Sequence, residues 1–327
     1  MNTHDFANLK TDTMIDALES LGYRSDLRVL ALNSYENRVY QMGIEEAEPI
    51  IIKFYRPNRW SNEQINEEHD FSLSLHAMEV PVIPPIVIDN KSLFEYEGYR
   101  FSLYRRQGGH APELDDLNCL YNLGQHLGRL HAIGKTKPFE FRPEISLKSY
   151  AIDSRNFILN SNMLPLALEK AYESITENLI EKVKQQLQAI DYKRIRLHGD
   201  CHGGNILMRP DSLYIVDFDD ARTGPAIQDL WMLISGDLDQ KRKQLNRILQ
   251  GYKQFCDFDM RELHLIEPLR TLRIIHYAGW LAKRWEDPAF PMAFPWFNSE
   301  NYWSEHIITL KEQFSELDEP VIDLSNF

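Results

Sequence analysis

The sequence has few cysteines, no long apolar segment and no export signal. Its three cysteines, Cys119, Cys201 and Cys256, are scattered along the chain and odd in number. They indicate reduced thiols rather than a disulfide framework, and therefore predict a cytoplasmic protein. No segment approaches the roughly 18 apolar residues of a membrane span, and residues 1–10 lack a basic stretch followed by an apolar run. We expect a protein that is neither exported nor membrane-spanning.

An excess of basic residues is also absent, because the net charge at pH 7 is −13. Duplex nucleic acid is bound by a basic patch that displaces counterions. Basic residues here form only short groups such as residues 241–243. Nucleic acid is therefore not an expected partner. No heptad repeat indicates a coiled coil, and we expect a monomer.

The spacing of apolar residues predicts a sheet-rich region followed by a helical one. Short runs rich in β-branched and aromatic residues predict strands at 29–32, 39–42, 50–55, 86–88 and 99–104. Helical spacing predicts helices at about 11–22, 62–78, 114–133, 163–188, 240–256, 260–284 and 301–314. The first of these helices would have Asp12 as its N-cap. The predicted fold class is α+β, with a smaller, sheet-rich lobe at residues 1–106 and a larger, mostly helical lobe at residues 107–327.

A strand–loop–strand segment carries the most informative motif. His198 and Asp200 are followed by Asn205, and Asp217 comes after the apolar run at residues 214–216. Phosphoryl transfer from ATP needs a carboxylate directed at the incoming hydroxyl and oxygen ligands for Mg²⁺. The motif predicts that Asp200 accepts the proton, and that Asn205 and Asp217 hold the metal while the nucleotide's phosphates complete its shell.

Two other interpretations of this segment have less support. Each of its Asp and Asn residues alone is more often a turn residue than a catalyst, and it is their joint order and spacing that favours a kinase site. His198, Cys201 and His202 also suggest zinc. Structural zinc sites usually need four ligands in recognisable pairs, and no second pair lies nearby in the sequence. For His202, a role in steadying the phosphoryl group and a role in packing both stay open.

The first region contains a candidate phosphate-binding lysine with a carboxylate partner. Lys53 lies in the apolar run at residues 50–55, where it would reach the α- and β-phosphates, although a lone Lys in a strand often faces solvent. Glu68 shares a helix face with Ile65 and should point toward the sheet and Lys53, whereas Glu67 should point outward. The alternative for either Glu is a solvated helix surface, and the choice between them is open.

A turn without glycine replaces the glycine-rich loop of ordinary kinases. Residues 33–38 lie between the first two predicted strands and contain no glycine. Their Ser and Asn side chains and main-chain N–H groups are able to form an anion-binding nest. As a bare segment this is a common polar hairpin, but its place directly before the Lys53 strand makes it a candidate phosphate lid.

Several of these segments together resemble the aminoglycoside phosphotransferase/choline kinase branch of the protein-kinase-like fold. They are residues 33–37, 52–57, 197–202, 217–221 and 225–231. The likeness extends from about residue 11 to about residue 315, and within the branch it is to a bacterial subfamily of serine/threonine protein kinases. It implies a bilobal fold, with a nucleotide-clamping lobe at residues 1–106 and a catalytic and acceptor-binding lobe at residues 107–327. It also implies transfer of the ATP γ-phosphate to Ser/Thr of protein substrates in the cytoplasm during a stress response.

The resemblance also implies roles for individual residues. Asp200 would be the proton acceptor, with Asn205 and Asp217 as magnesium ligands. Ser34 would lie under the ATP phosphates, and Lys53 and Glu68 would form the phosphate-binding pair. The resemblance further implies that the Asp229 carboxylate accepts hydrogen bonds from the main chain of the catalytic loop and so holds Asp200 in place. Only eleven residues separate Asp217 from Asp229, which leaves no room for a long phosphorylated activation segment.

The acceptor class stays open at this point. Small-molecule kinases with choline, sugar, homoserine or aminoglycoside acceptors share the branch, and fold alone does not choose between them and protein kinases. The aromatic residues between 280 and 303 would suit an acceptor groove or a cage for a quaternary ammonium group, but such residues are more often core. A catalytically inactive binding module is disfavoured because base, metal ligands and lysine are all present.

Overall fold

The computed structural model describes residues 6–210 and 212–324. The chain divides into two compact units. The sheet unit comprises Met1–Glu113, Phe139–Arg142 and Asp200–Ala221. The helical unit comprises Leu114–Pro138, Pro143–Gly199 and Arg222–Phe327. None of the helices in the described ranges is long and apolar enough to cross a membrane.

The secondary structure is mixed. In the described residues the strands are β1 (Ser25–Ala31), β2 (Arg38–Ile44), β3 (Ala47–Phe54), β4 (Phe94–Tyr96), β5 (Tyr99–Arg105), β6 (Ile195–Leu197), β7 (Ile206–Arg209), β8 (Ser212–Ile215) and β9 (Arg222–Gly224). The α-helices are α1 (Thr11–Glu19), α2 (Asn62–Ala77), α3 (Leu117–Gly134), α4 (Asp153–Asn160), α5 (Leu166–Gln188), α6 (Gln228–Trp231), α7 (Leu238–Tyr252), α8 (Ile266–Arg284), α9 (Ala289–Ala293) and α10 (Glu300–Glu316).

The sheet unit is built on an antiparallel sheet in the order β1-β2-β3-β5-β4. Side chains alternate across the sheet along β3. Ile52 and Phe54 are fully buried in the core that also contains Leu18 of α1. Lys53, between them, therefore projects from the opposite face. The hairpin of β7 and β8 belongs to the same unit.

Helix α2 is defined by its cap and by the spacing of its apolar residues. Ser61 accepts a hydrogen bond from the main chain of Gln64, whose side chain bonds back to the main chain of Ser61. Ile65 and Phe71 are fully buried, and Phe71 packs edge-on against Phe218. This packing fixes the rotation of α2 about its axis.

The helical unit is held together by a close approach of α3 to α7. A Cβ atom at Gly124 would lie 2.0 Å from the carbonyl oxygen of Ile248, and one at Gly128 would lie 2.4 Å from that of Tyr252. Glycine at these two positions lets the helices touch backbone to backbone. The short strands β6 and β9 pair antiparallel in the same unit.

Most predicted elements are confirmed, with two local corrections. The N-cap of α1 is Lys10, and Asp12 lies in the first turn, so the N-cap prediction was wrong. The strand predicted at residues 86–88 is also wrong, because the tight turn at Asp89 and Asn90, both with positive φ, returns the chain at once and leaves only isolated bridges. The lobe boundary at residue 106 stays a prediction. The two compact units are not continuous in sequence, because Asp200–Ala221 belong to the sheet unit.

Candidate active site

The loop after β6 carries Asp200, His202 and Asn205. The side-chain amide nitrogen of Asn205 donates to the carbonyl oxygen of Asp200 at 3.0 Å, and this orientation leaves the Asn205 Oδ1 atom to face another ligand. His202 Nδ1 accepts a hydrogen bond from the main chain of Gly204, so Nε2 is the nitrogen nearest to Asp200 Oδ2, at 3.5 Å. The loop therefore holds a carboxylate and an amide oxygen in fixed relation.

The second acidic segment begins directly after β8. Asp217 has φ 62° and ψ 71°, in the left-handed region, which costs a non-glycine residue about 1 kcal/mol or more. Such strain is typical of functional sites. The turn Phe218–Asp220 then buries Phe218 and Asp219. The Asp217 side chain stays 55% exposed, whereas that of Asp219 is 5% exposed.

Lys53 contacts two of the three acidic residues of this segment, Asp217 and Asp219. Its ammonium nitrogen lies 3.1 Å from Asp217 Oδ1 and 3.2 Å from Asp219 Oδ1. Burial disfavours the charged lysine, but the carboxylates of Asp217 and Asp219 outweigh it and raise the pKa of Lys53 well above its usual value. Lys53 is thus a buried, permanently charged cation beside a solvent-accessible carboxylate.

The two glutamates of α2 have different surroundings. Glu68 is 2% exposed, which confirms its predicted inward direction. Its Oε2 atom lies 3.7 Å from Arg142 Nη2 and has no hydrogen-bond partner among the described residues. Burial raises the pKa of Glu68 to about 7, against the opposing charges of Lys53 and Arg142. Glu67 is partly exposed and accepts main-chain hydrogen bonds from the segment at 140–142.

The pairing of Lys53 with Glu68 stays a prediction. The carboxylates that contact Lys53 are those of Asp217 and Asp219, while Glu68 is close enough to raise the pKa of Lys53. The free Oε2 atom of Glu68 has the capacity to accept a hydrogen bond if Lys53 moves.

Five of the predicted residues line one cavity of about 350 Å³ in the sheet unit. They are Ser34, Lys53, Glu68, Asn205 and Asp217. Ser34 donates from its hydroxyl to the carbonyl oxygen of Asn37 at 3.2 Å, which stabilises the turn before β2. Asp200 is bonded to the lining residue Asn205 through its carbonyl oxygen. A larger cavity of about 700 Å³ in the helical unit is lined by none of these residues.

Within the helical unit, a buried carboxylate bonds to the two residues that precede Asp200. Asp229, in α6, is fully buried and accepts main-chain hydrogen bonds from His198 and Gly199, both at 2.8 Å. His131 Nε2 lies 3.0 Å from the same carboxylate. Because Gly199 directly precedes Asp200, these bonds restrain the backbone that enters the loop.

The donor atoms of the cavity fit a magnesium ion better than zinc. No group of three or more His, Cys, Asp and Glu side chains in the described residues is arranged to hold a metal by itself. Magnesium needs fewer protein ligands, since it keeps several waters and takes phosphate oxygens. The exposed Asp217 carboxylate and the Asn205 Oδ1 atom are the two protein oxygens suited to it.

Sequence reasoning missed three residues of this site: Asp219, Arg59 and Arg142. Arg142 is 4% exposed and donates to the carbonyl oxygens of Gln64 and Asp219 at 2.9 and 2.7 Å. Arg142 is far from both partners in the sequence, so no local sequence pattern could have predicted these contacts. Asp219 lies two residues after Asp217 in the sequence and could have been singled out as a second lysine partner.

Comparison with known proteins decides the family. The profile of the phosphotransferase enzyme family matches residues 28–266, nearly three-quarters of the chain. The chain belongs to the phosphotransferase enzyme family. Proteins that are named kinases match this chain over almost their full length. Stress response kinase A of Salmonella choleraesuis is 43% identical over 324 residues, covering 99% of this chain and 98% of that protein.

Two further similarities define the kinase character and the fold of this phosphotransferase. Serine/threonine protein kinase RdoA of Salmonella typhimurium is 43% identical over 324 residues, with 99% and 98% of the two chains covered. Amicoumacin kinase hAmiN, solved with AMP-PNP and Ca²⁺, superposes with a TM-score of 0.75 at 18% identity, over 96% of this chain and 97% of that one. The protein is an ATP-dependent kinase with the bilobal protein-kinase-like fold.

Proposed function

We propose that this kinase uses Mg²⁺ and ATP to phosphorylate Ser and Thr side chains of protein substrates. The observation that carries the proposal is the convergence of Lys53, Asn205 and Asp217 on one cavity, with Asp200 bonded to Asn205. A buried cation, two oxygen donors and an adjacent carboxylate are the groups that phosphoryl transfer requires.

The chain's own residues then have separate tasks in the reaction. Asp200 orients the acceptor hydroxyl and takes its proton late in the transfer. Asn205 and Asp217 hold Mg²⁺, which supplies charge neutralisation to the phosphate oxygens when bound. Lys53 exchanges its carboxylate contacts for the α- and β-phosphates, and the turn that contains Ser34 covers them. Positioning and charge neutralisation account for most of the rate acceleration in such a site.

The names of the similar proteins favour a protein acceptor. Relatives at 43% identity are called stress response kinase A and serine/threonine protein kinase RdoA. Small-molecule kinases among the solved structures, such as amicoumacin kinase, are similar only at 18% identity and support the fold alone. A role in a bacterial stress response, a cytoplasmic location and a monomeric state belong to the same proposal.

Three of the aromatic residues between 280 and 303 argue against a cage for a quaternary ammonium acceptor. Phe290, Phe297 and Trp303 are fully buried and pack against their aromatic neighbours, Trp280 against Phe290 and Trp303 against Phe297. Buried aromatic rings that pack against one another are part of the hydrophobic core. An aromatic cage needs ring faces open to the ligand.

The acceptor is tested by transfer of γ-labelled phosphate from ATP with Mg²⁺. Casein and a panel of amines, sugars and aminoglycosides would be run in parallel, with the Asp200→Asn variant as the background control. We expect label in protein and none in the small molecules. Label confined to a small molecule would overturn the protein-kinase proposal and leave a small-molecule kinase. Absence of label with every acceptor would overturn both.

A further inference from the structure

We infer that Arg59 is a positioning residue that connects the glycine-free turn, residues 33–37 before β2, to the acidic segment at 217–220. Through this connection it holds Lys53 and Asp217 in the arrangement that receives the phosphates of ATP. The inference rests on the proposed function, because it assigns phosphate recognition to the same cavity.

Arg59 contacts three carboxylates from two distant parts of the chain. Its Nη1 atom is hydrogen-bonded to Asp219 Oδ2, and its Nη2 atom donates to Asp220 Oδ1 at 2.8 Å. Its Nε atom lies 3.6 Å from Glu36 Oε1. The Arg59 side chain is 12% exposed, so these contacts are poorly screened by solvent. One guanidinium thus joins the turn to the acidic segment.

The turn itself is fixed by a second arginine. Arg56 is 2% exposed, and its Nε atom donates to the Glu36 carbonyl oxygen at 2.9 Å and lies 3.0 Å from Glu36 Oε1. The main-chain N–H of Arg56 donates to Asn37 Oδ1 at 3.1 Å. Glycine-rich loops adapt to the phosphates by backbone freedom. This turn is instead held by side chains, so its position depends on Glu36.

Arg59 and Lys53 also contact the same carboxylate, that of Asp219. Both Asp217 and Asp219 contact Lys53, but Asp219 is buried and Asp217 is half-exposed. Arg59 compensates the charge of Asp219 from the side away from Lys53. Because Asp219 keeps its contact with Arg59, Lys53 is able to turn toward a phosphate without leaving an uncompensated buried carboxylate behind, which would be strongly unfavourable. The planar guanidinium suits this task, whereas an ammonium group cannot bond two carboxylates in a fixed fork.

The test compares binding of ATP and adenosine to the full-length chain by calorimetry with Mg²⁺ present. We expect Arg59→Gln to weaken binding of a non-hydrolysable ATP analogue by at least about tenfold, and to leave adenosine binding within about twofold. Arg59→Lys should recover only part of the ATP affinity. The matched control is Arg28→Gln, since Arg28 is 78% exposed in the same unit and pairs locally with Asp26. It should bind both ligands as the wild type does.

A second variant keeps the inference testable if Arg59→Gln fails to fold. Glu36→Gln removes only the turn side of the connection, and it should show the same loss for the ATP analogue with adenosine binding retained. Equal weakening of ATP and adenosine, or wild-type ATP affinity in both Arg59→Gln and Glu36→Gln, would overturn the inference. Failure of the proposed function is a separate result, because it would appear as wild-type protein that binds ATP and transfers no phosphate.

Discussion

The two segments that carry the proposed catalytic residues Asp200 and Asp217 are supported by opposite charges. Before Asp200, the main-chain N–H groups of His198 and Gly199 bond to the buried carboxylate of Asp229. After Asp217, the mostly buried guanidinium of Arg59 bonds to the carboxylates of Asp219 and Asp220. The first support is an anion that accepts main-chain hydrogen bonds, and the second is a cation that donates hydrogen bonds to side-chain carboxylates.

This difference follows from the number of carboxylates in each segment. The loop that holds Asp200 contributes one carboxylate, and an anionic support that bonds only to N–H groups leaves its charge unchanged. The segment at 217–220 contains three Asp residues in four positions, whose mutual repulsion must be compensated before Asp217 could hold the proposed Mg²⁺. Although burial opposes ionisation, the charges of Arg59 and Lys53 lower the pKa of Asp219 to about 2.

The largest effect is expected from removal of the anionic support. Asp229→Ala would leave two main-chain N–H groups and His131 without their buried partner. We expect a loss of about 3 kcal/mol in the free energy of unfolding and a fall in kcat of about 100-fold, measured by chemical denaturation and steady-state kinetics. Asp239→Ala is the control, because Asp239 is 78% exposed. A kcat near wild type for Asp229→Ala would show that the loop does not need this support.

A smaller effect is expected from substitution of the two glutamates of α2, one of which lies near Lys53. Glu68→Gln should raise the KM for ATP by about tenfold, since it removes a buried charge near Lys53. Glu67→Gln serves as its matched control and should change the KM less, because Glu67 bonds to the main chain at residues 140–142. Equal effects of the two substitutions would contradict the helical-phase argument, and a stronger effect of Glu67→Gln would reverse it.

The same glutamate predicts a pH dependence of stability. Burial raises the pKa of Glu68 to about 7, above the unfolded value of about 4.3. A raised carboxyl pKa stabilises the folded state below the unfolded pKa, and this stabilisation is lost as the pH rises through about 7. Between pH 6 and pH 8 the wild type should lose about 1 kcal/mol more stability than Glu68→Gln. Parallel denaturation curves for the two proteins at both pH values would contradict this titration.

The smallest effect is expected after Asp217, where conventional kinases have an activation segment. Thr223 lies in β9, opposite Arg196, and its main chain bonds to Pro143 and Ile145. A paired strand leaves no mobile loop for phosphorylation to order. Phosphatase-treated protein and Thr223→Ala should keep turnover within about twofold of the untreated wild type. If phosphatase silenced the enzyme and Thr223→Glu restored it, regulation would be of the conventional kind.

The predictability of the site depended on how local each contact is. Asp200, Asn205 and Asp217 lie close together in sequence, so their spacing was enough to predict that Asn205 and Asp217 share a site. The inward direction of Glu68 followed from helical phase. Arg59 could not be predicted, because its partner Asp219 is 160 residues away and the surrounding sequence reads as an ordinary turn.

The fold was predictable where apolar periodicity was long and unpredictable where a tight turn intervened. Helix α2 and strands β2, β3 and β5 lie close to their predicted ranges. Strand β4 has only three residues, too few for a clear alternation. Its place at the sheet edge depends on pairing with β5, a tertiary contact that its own sequence does not reveal.

Nucleotide binding by Asp200→Asn and Asp217→Asn, titrated with an ATP analogue in the presence and absence of Mg²⁺, tests the division of roles most directly. Asp200→Asn should retain wild-type, Mg²⁺-dependent affinity while its phosphate transfer is lost. Asp217→Asn should lose the gain in affinity that Mg²⁺ confers on the wild type. If both folded variants lost that gain to the same extent, the separate assignment of Asp200 to the acceptor and Asp217 to the metal would be wrong.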